Sequence, residues 1–248
     1  MSTYNKIATI ILAAGMSSRM KEGKTKCMKK IDEKETIIQR MIRQQIDIVK
    51  ANNIFISTGF QSEKYVSLNS DNIKTVENKV YKKDKNINSC FLCLEQVFQS
   101  KNNFDYVLIV EGDVILSKQD AIIIKKAIED NKNKHDIIFV EKYNQFNKKR
   151  IGCVDNDGRC FIRSNESLED RMTGIFLLKI ETAEKLFKKQ KKTIRENGMN
   201  YYYFFPFLID KFKNCKNNFH KVYLNKSFTV NNQKEFKWAK KSIQKTYK

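Results

Sequence analysis

ATIILAAGMSSRMKEGKTKC, Ala8 to Cys27, decides how the rest of the chain is read. Ala8–Leu12 is an apolar run, and Ile7–Ala14 reads as a buried strand. The run ends in Ala13-Ala14-Gly15, small residues that let the chain turn sharply and expose backbone N–H groups. A turn of that kind is an anion site. Arg19 adds a planar, permanently charged donor and Lys26 a mobile point charge, and together they suit a triphosphate. Neither G-x-x-x-x-G-K-[ST] nor G-x-G-x-x-G is present. On these residues alone, an ordinary strand–turn–helix with a solvated basic face stays open.

The elements that follow alternate. The stretch ETIIQRMIRQQIDIVKANN carries Ile37, Ile38, Met41, Ile42, Ile46 and Val49 at helical spacing, which predicts an amphipathic helix. NIFISTG and NIKTVEN read as strands, Ser89–Gln99 as a helix, FDYVLIVEGD as a strongly apolar strand, Lys118–Ile128 as a helix and DIIFVEKY as a strand. Alternation of this kind predicts an α/β fold, a Rossmann-like three-layer sandwich with a mostly parallel central sheet. Ligands of such sheets bind outside the carboxyl ends of the strands. The turn after Ala14 and the acidic end of LIVEGD are therefore the places to watch. After Lys142 the pattern becomes a mixed β/α portion. It has a hairpin turning at Asp157-Gly158, the strand GIFLLKI, the helix ETAEKLFKKQ, the aromatic run YYYFFPFLI and short strands KVYL and SFTV. A last helix follows from about Gln233. No linker or repeat divides the chain, so residues 1–248 are expected to form one domain, with a core at 1–142 and an accessory portion at 143–248.

Composition narrows the class. The chain has 248 residues, 41% of them hydrophobic, with one proline and eight glycines, which suits a packed domain rather than a low-complexity chain. No apolar run reaches the roughly 18 residues of a membrane span, and no basic region precedes the first strand, so a cytoplasmic protein is expected. The net charge of +20 raises nucleic acid or an anionic surface as partners. The lysines are spread along the whole chain, however, and no basic motif interleaved with aromatics occurs. Small phosphorylated substrates are the better expectation, with no nucleic acid and a possible homo-oligomer. Six cysteines include the C-x-x-C of Cys90 and Cys93. No second pair completes a zinc set, and the helical pattern around them predicts buried thiols. His135 and His220, the two histidines, lie far apart in sequence and have no ligand-spaced partner.

The quoted stretch resembles the signature of the nucleotidyltransferase superfamily, L-A-A-G-x-x-x-R-[ML] followed by Pro-Lys. Ser17 stands where glycine is common and Thr25 where proline is common. STGF at Ser57–Phe60, NINSCFLCLEQVF, LIVEGDVIL, VEKYNQ with VDNDGRCFI, and SFTVNNQKEFKWA are similar to the choline-phosphate cytidylyltransferase branch. The likeness spans nearly the whole chain. It implies that Leu12, Ala13, Ala14 and Gly15 hold base and sugar, with Asn86 and Ser89 also on the nucleotide. It implies further that Ser17, Ser18 and Arg19 cradle the β- and γ-phosphates, and that Lys26 sits on the α-phosphate. Asp113 corresponds to the first Mg²⁺ ligand and Asn231 to the second. Each also has a plain structural reading, Asp113 as a turn cap and Asn231 as a helix N-cap.

The implied reaction transfers a nucleoside monophosphate, CMP from CTP in that branch, to a phosphorylated acceptor and releases pyrophosphate. The acceptor phosphate is already an anion near neutral pH, so a chain with two histidines needs no general base. Phosphocholine, phosphoethanolamine and 2-aminoethylphosphonate are the expected acceptors. An aromatic and acidic surround would hold the ammonium group. Tyr201, Tyr202 and Glu111 are candidates for that pocket, with Tyr203, Phe204, Trp238, Glu169 and Asp170 also available, and Lys142 reaches toward the acceptor or α-phosphate. YYYFFPF would equally suit a packed helix. Two alternatives stand beside this reading: a sugar-1-phosphate nucleotidyltransferase and, more remotely, a non-catalytic nucleic-acid-associated module.

Overall fold

The apolar run becomes strand β1 (Ile7–Leu12), buried along its entire length. Its side chains alternate between two cores. Ile7 and Ile11 enter one, and Ala8, Ile10 and Leu12 the other. A run of this kind carries no polar face because both faces of the strand are covered. The computed structural model describes residues 6–16, 25–51, 53–84, 86–131, 134–142, 152–155, 160–162, 170–197, 219–225, 227–230 and 232–245.

Among these residues the elements after β1 run in chain order as follows. A 3₁₀ turn (Lys26–Met28) leads to α1 (Ile37–Gln44), β2 (Asn53–Thr58), a 3₁₀ segment (Ser62–Leu68), β3 (Ile73–Glu77), α2 (Ile87–Gln99) and β4 (Tyr106–Glu111). Then come β5 (Val114–Ile115), α3 (Lys118–Asn131), β6 (Ile137–Glu141), β7 (Gly152–Val154), β8 (Cys160–Ile162), β9 (Asp170–Lys179), α4 (Ile180–Asn197), β10 (His220–Tyr223), β11 (Phe228–Thr229) and α5 (Gln233–Lys245). The main sheet runs β10-β6-β9-β4-β1-β2-β3. β1 pairs in parallel with β2 and β4, β2 with β3, and β10 with β6. Only β9 runs against its two neighbours in that path. The hairpin of β7 and β8 hangs from β9, and its turn at Asp157-Gly158 lies outside the described residues.

The helices form the outer layers. Ile38 and Met41 of α1, Ile124 and Ile128 of α3, and Ala239 of α5 fill one core. Phe91 and Leu94 of α2 with Ala183 and Leu186 of α4 fill the other. Each such buried aliphatic or aromatic side chain contributes about 1.5–3 kcal/mol. A mostly parallel mixed sheet between two helical layers is the α/β sandwich that the alternation predicted. No helix among the described residues is long and apolar enough to cross a membrane.

The first helix departs from its expected form. Thr36 starts it with a capping box: its hydroxyl accepts from Gln39 N, and its N–H donates to the Gln39 amide at 2.9 Å. After Gln44 the turn widens into a π-helix over Gln45–Val49, which closes on Lys50 at φ 64°. The wider turn shifts the buried face, so Ile46, expected inside, is 40% exposed. Gln44 and Gln45 are buried in its place. The Gln44 side chain donates to Leu116 O at 3.0 Å, and Gln45 accepts from Thr9 Oγ1 at 3.4 Å. Those bonds offset part of the cost of burying the two amides, while Gln44 Oε1 is buried with no hydrogen-bond partner among the described residues.

Cys90 and Cys93 are free thiols in the second core, and burial pushes both pKa values up. His135 and His220 stack with ring centroids 5.8 Å apart. β10 begins at His220 and pairs in parallel with β6, which begins two residues after His135, so the stack sits at the amino end of these strands.

Candidate active site

The turn after β1 is held from both sides at the carboxyl end of the sheet. On the β2 side, Ala13 N donates to Ser57 O at 3.0 Å and Phe60 N to Ala14 O at 3.3 Å. On the β4 side, Gly112 N donates to Leu12 O at 2.9 Å. Glycine is required there, because a Cβ on Gly112 would lie 2.4 Å from Leu12 O. Gly15 is different: nothing lies within 4 Å of where its Cβ would be, and it is exposed. Leu12, Ala13 and Ala14 are buried, so what they offer a ligand is backbone.

Lys26 returns to this end on the 3₁₀ turn. Thr25, before it, has φ −62° and ψ 132°, the backbone a proline would hold. Its N–H, which proline lacks, donates to Gln61 Oε1 at 3.2 Å, and its hydroxyl is 2.7 Å from Tyr65 OH. Burial pushes the Tyr65 phenol pKa up. Cys27, after Lys26, donates its thiol to Gly112 O at 3.0 Å, and burial raises its pKa to about 11. Anchored on both sides, Lys26 places Nζ 2.7 Å from Asp113 Oδ2 and 3.4 Å from Val230 O. Val230 is brought there by the β5–β11 pairing, and its N–H donates to Asp113 O at 2.8 Å. Three segments far apart in sequence thus meet at one ion pair whose side chains are 18% and 14% exposed.

Asn86 and Glu111 also come together. Asn86 holds φ 104°, a conformation that non-glycine residues seldom adopt and that clusters at functional sites. Its amide Nδ2 lies 3.5 Å from Glu111 Oε1. Glu111 is in register with Leu12 and presses against Gly174, where a Cβ would meet its Oε2 at 2.7 Å. Ser89 is placed differently. It is 2% exposed, and its hydroxyl and N–H both donate to Asp84 Oδ2 at 2.9 Å. Asn78 joins that network with bonds to Asp84 and Ser89. The serine therefore braces the start of α2 from within.

The other side of the sheet end holds a charged cluster. Asp170, first residue of β9, accepts from Lys221 Nζ at 2.8 Å and from Tyr223 OH at 2.6 Å. Lys142 Nζ lies 5.9 Å from the Tyr223 ring centroid and Lys221 Nζ 5.8 Å. Burial pulls the Lys221 pKa down, but the Asp170 bond and charge outweigh it and the net shift is upward. The hydrogen bond to Asp170 likewise raises the Tyr223 pKa. Beneath them, buried Glu141 accepts from Ser227 and faces fully buried Arg171 across the strand pair. Sequence reading missed Lys221, Tyr223 and Arg171. KVY is too short to carry a motif, and Arg171 sits inside an apolar run. Ser17, Ser18, Arg19, Asn231, Glu169, Tyr201 and Tyr202 lie outside the described residues. Trp238, on α5, packs against the first core.

A family description, the MobA-like NTP transferase domain, matches residues 9–165. The chain belongs to that family and is a nucleotidyltransferase. No curated protein sequence matches it significantly. Many solved structures are similar in fold, three of them as follows. The CTP:phosphocholine cytidylyltransferase of Streptococcus pneumoniae has a TM-score of 0.70 at 17% identity, over 96% of this chain and 99% of that one. The inositol-1-phosphate CTP transferase of T. maritima has a TM-score of 0.71 at 13% identity, over 98% of each chain. A Bacillus anthracis protein assigned as a glucose-1-phosphate thymidylyltransferase has a TM-score of 0.75 at 15% identity, over 96% and 95%. Their names span three acceptors, so the shared fold does not choose one.

Nucleotidyltransferases of this family generally use a divalent metal. The Asp113 carboxylate is a hard oxygen donor of the kind Mg²⁺ takes. The β5–β11 pairing brings Val230 to it. Among the described residues no cluster of three His, Cys, Asp or Glu side chains forms. The one described carboxylate there would leave the other positions of such an ion to further donors.

Proposed function

We propose that residues 1–248 act as one domain that transfers CMP from CTP to a phosphorylated amino alcohol or aminophosphonate and releases pyrophosphate. Residues 1–142 would hold the nucleotide, and 143–248 would supply acceptor contacts and the second metal ligand. The observation that carries this reading is the Lys26–Asp113 contact of 2.7 Å beside the glycine-limited turn. It supports a site where an ammonium and a metal-binding carboxylate flank one phosphate. The backbone of Leu12–Gly15 receives base and sugar, with the Asn86 amide beside them and Ser89 bracing it. Ser17, Ser18 and Arg19 receive the outer phosphates. An acceptor phosphate oxygen attacks the α-phosphorus, the bond to the bridging oxygen breaks, and pyrophosphate leaves with its electron pair. No proton has to move. Lys26 holds the α-phosphate and offsets its growing charge, and the fixed turn keeps the reacting oxygens in line. Asp113, with Asn231, would hold Mg²⁺, which when bound neutralises charge on the triphosphate.

For the acceptor, Lys142 is the phosphate contact, and Asp170 with Tyr223 offers a carboxylate and an aromatic ring to an ammonium group. Glu111 lies between the two halves, and Tyr201 and Tyr202 complete the aromatic surround. A sugar 1-phosphate is the second reading, because Asp170 and the Tyr223 hydroxyl are also hydrogen-bonding groups for sugar hydroxyls. Pyrophosphate release with Mg²⁺ decides between them, crossing CTP, UTP, GTP, ATP and dTTP against phosphocholine, phosphoethanolamine, 2-aminoethylphosphonate and sugar 1-phosphates. Release with CTP and an amino-bearing acceptor is expected. Release with a sugar 1-phosphate alone would overturn the acceptor reading and leave the nucleotide reading standing.

A further inference from the structure

A second cleft opens behind the segment that carries Lys26. It encloses about 720 Å³ between the 3₁₀ turn, the 3₁₀ segment Ser62–Leu68 and the start of α5. That volume is ample for a small organic or inorganic phosphate. Lys29, Lys30 and Lys64 line it with the amides of Gln61 and Gln233, and none of its eight lining residues is acidic. Two acids close in sequence are engaged elsewhere, and Glu63 and Glu235 adjoin lining residues in sequence without being among the lining. Asp32 accepts from Lys34 N and Glu35 N, and Glu35 pairs with Arg40 and Arg43. Gln233 is the first residue of α5, a helix of 13 residues, so the positive dipole end of its first turn adjoins the cleft, with Glu235 N already capped by Asn232 Oδ1 at 3.0 Å and Glu235 itself in that turn. Lys26 itself is turned away, toward Asp113.

We propose that this cleft binds a second polyphosphate anion, separate from the one that the Lys26–Asp113 site would handle. Lysine charge from two segments and a helix N-terminus converge on a volume with no acid among its described lining residues, the chemistry that recognises a phosphoanhydride. Thr25 and Met28, which flank Lys26 in sequence, both line the cleft. An occupant therefore touches the backbone on either side of Lys26, and any effect on turnover rests on the role given to that lysine above. Binding itself does not.

The test counts pyrophosphate equivalents bound to the full chain by calorimetry, without reference to turnover. The intact chain is expected to bind two, and K30A/K64A only one, with the second weakened at least roughly tenfold. K30R/K64R should restore it. K125A/K126A, which removes two lysines of α3, should keep both. Displacement of both equivalents by CTP would identify the bound group as a nucleotide's triphosphate, and displacement of one would identify free pyrophosphate. A single equivalent in the intact chain that K30A/K64A leaves in place overturns the proposal, whereas a single equivalent that K30A/K64A removes supports it and counts against the Lys26–Asp113 reading. A second equivalent that survives K30A/K64A, or one that K125A/K126A also removes, overturns the proposal too. Loss of the second equivalent with kcat unchanged would leave the reading of Lys26 untouched.

Discussion

The two halves of the sheet end are built by different means. Around β1, β2 and β4, backbone groups do the work. Strands run parallel, Leu12 O and Ala14 O are bonded on either side, and Gly112 allows an approach that no other residue would tolerate. Around β6, β9 and β10, antiparallel β9 brings in a dense set of side chains, Asp170, Lys221 and Tyr223, above a buried Glu141–Arg171 pair. A backbone-built site is rigid and indifferent to most substitutions nearby. A side-chain-built site changes its ligand with one or two replacements. The solved structures similar in fold carry names with different acceptors.

Substitutions can break the contrast at either end. The largest effect is expected from Lys26→Ala, which should lower kcat roughly 10²–10³-fold and move Tm by less than about 5 °C. Pyrophosphate release and calorimetry check it, and normal turnover with intact CTP binding would remove Lys26 from its role. Gly112→Ala should reduce both quantities, since its Cβ meets a backbone oxygen that cannot give way. A loss of about 1–3 kcal/mol in denaturant unfolding is expected, with activity falling because Asp113 follows directly. An unchanged unfolding midpoint would show that β1 and β4 separate without penalty. Asp170→Asn should act on one half alone and raise the acceptor KM roughly five- to tenfold while leaving the CTP KM in place. Equal changes in both would show that the halves are not independent.

The smallest effect concerns pH. Burial raises the pKa of Asp136 above its ordinary 3.8, despite bonds from Lys179 N and Thr182 Oγ1. The folded state therefore holds this proton more tightly than the unfolded chain. The resulting stabilisation is full below the unfolded value and disappears as pH rises through the folded one. Asp136→Asn keeps the shape and should flatten that part of the stability curve. Unfolding midpoints of both proteins from pH 3 upward would show it.

The fold was legible because burial on both faces leaves β1 and β4 uninterrupted apolar runs, and periodicity marked the helices between strands. Ile46 was misread because a π turn changes the spacing that the reading assumes, and nothing in QQIDIV announces it. The meeting of Lys26 with Asp113 at the end of the first strand was legible because the turn and the lysine lie close in sequence and Asp113 follows a strand end. The Asp170, Lys221 and Tyr223 cluster was not. Its members are joined only by the insertion of β9 beside β6 and the addition of β10 at the edge, which no local pattern encodes. Ser89 shows the opposite error, a residue in a motif-like helix start whose hydroxyl is consumed by Asp84.

The stacked histidines carry a kinetic consequence. Imidazole is the one side chain whose ordinary charge change falls between pH 5 and 8. This chain has two, both at the amino ends of β6 and β10, away from the carboxyl ends where Lys26 and Asp113 meet. The described thiol nearest that ion pair, Cys27, is pushed up to about 11. On the proposed chemistry, a bend in the rate profile across neutral pH then belongs to the substrate. It marks the acceptor phosphate losing its second proton, near about pH 6. An acceptor with a different phosphate pKa would move the bend.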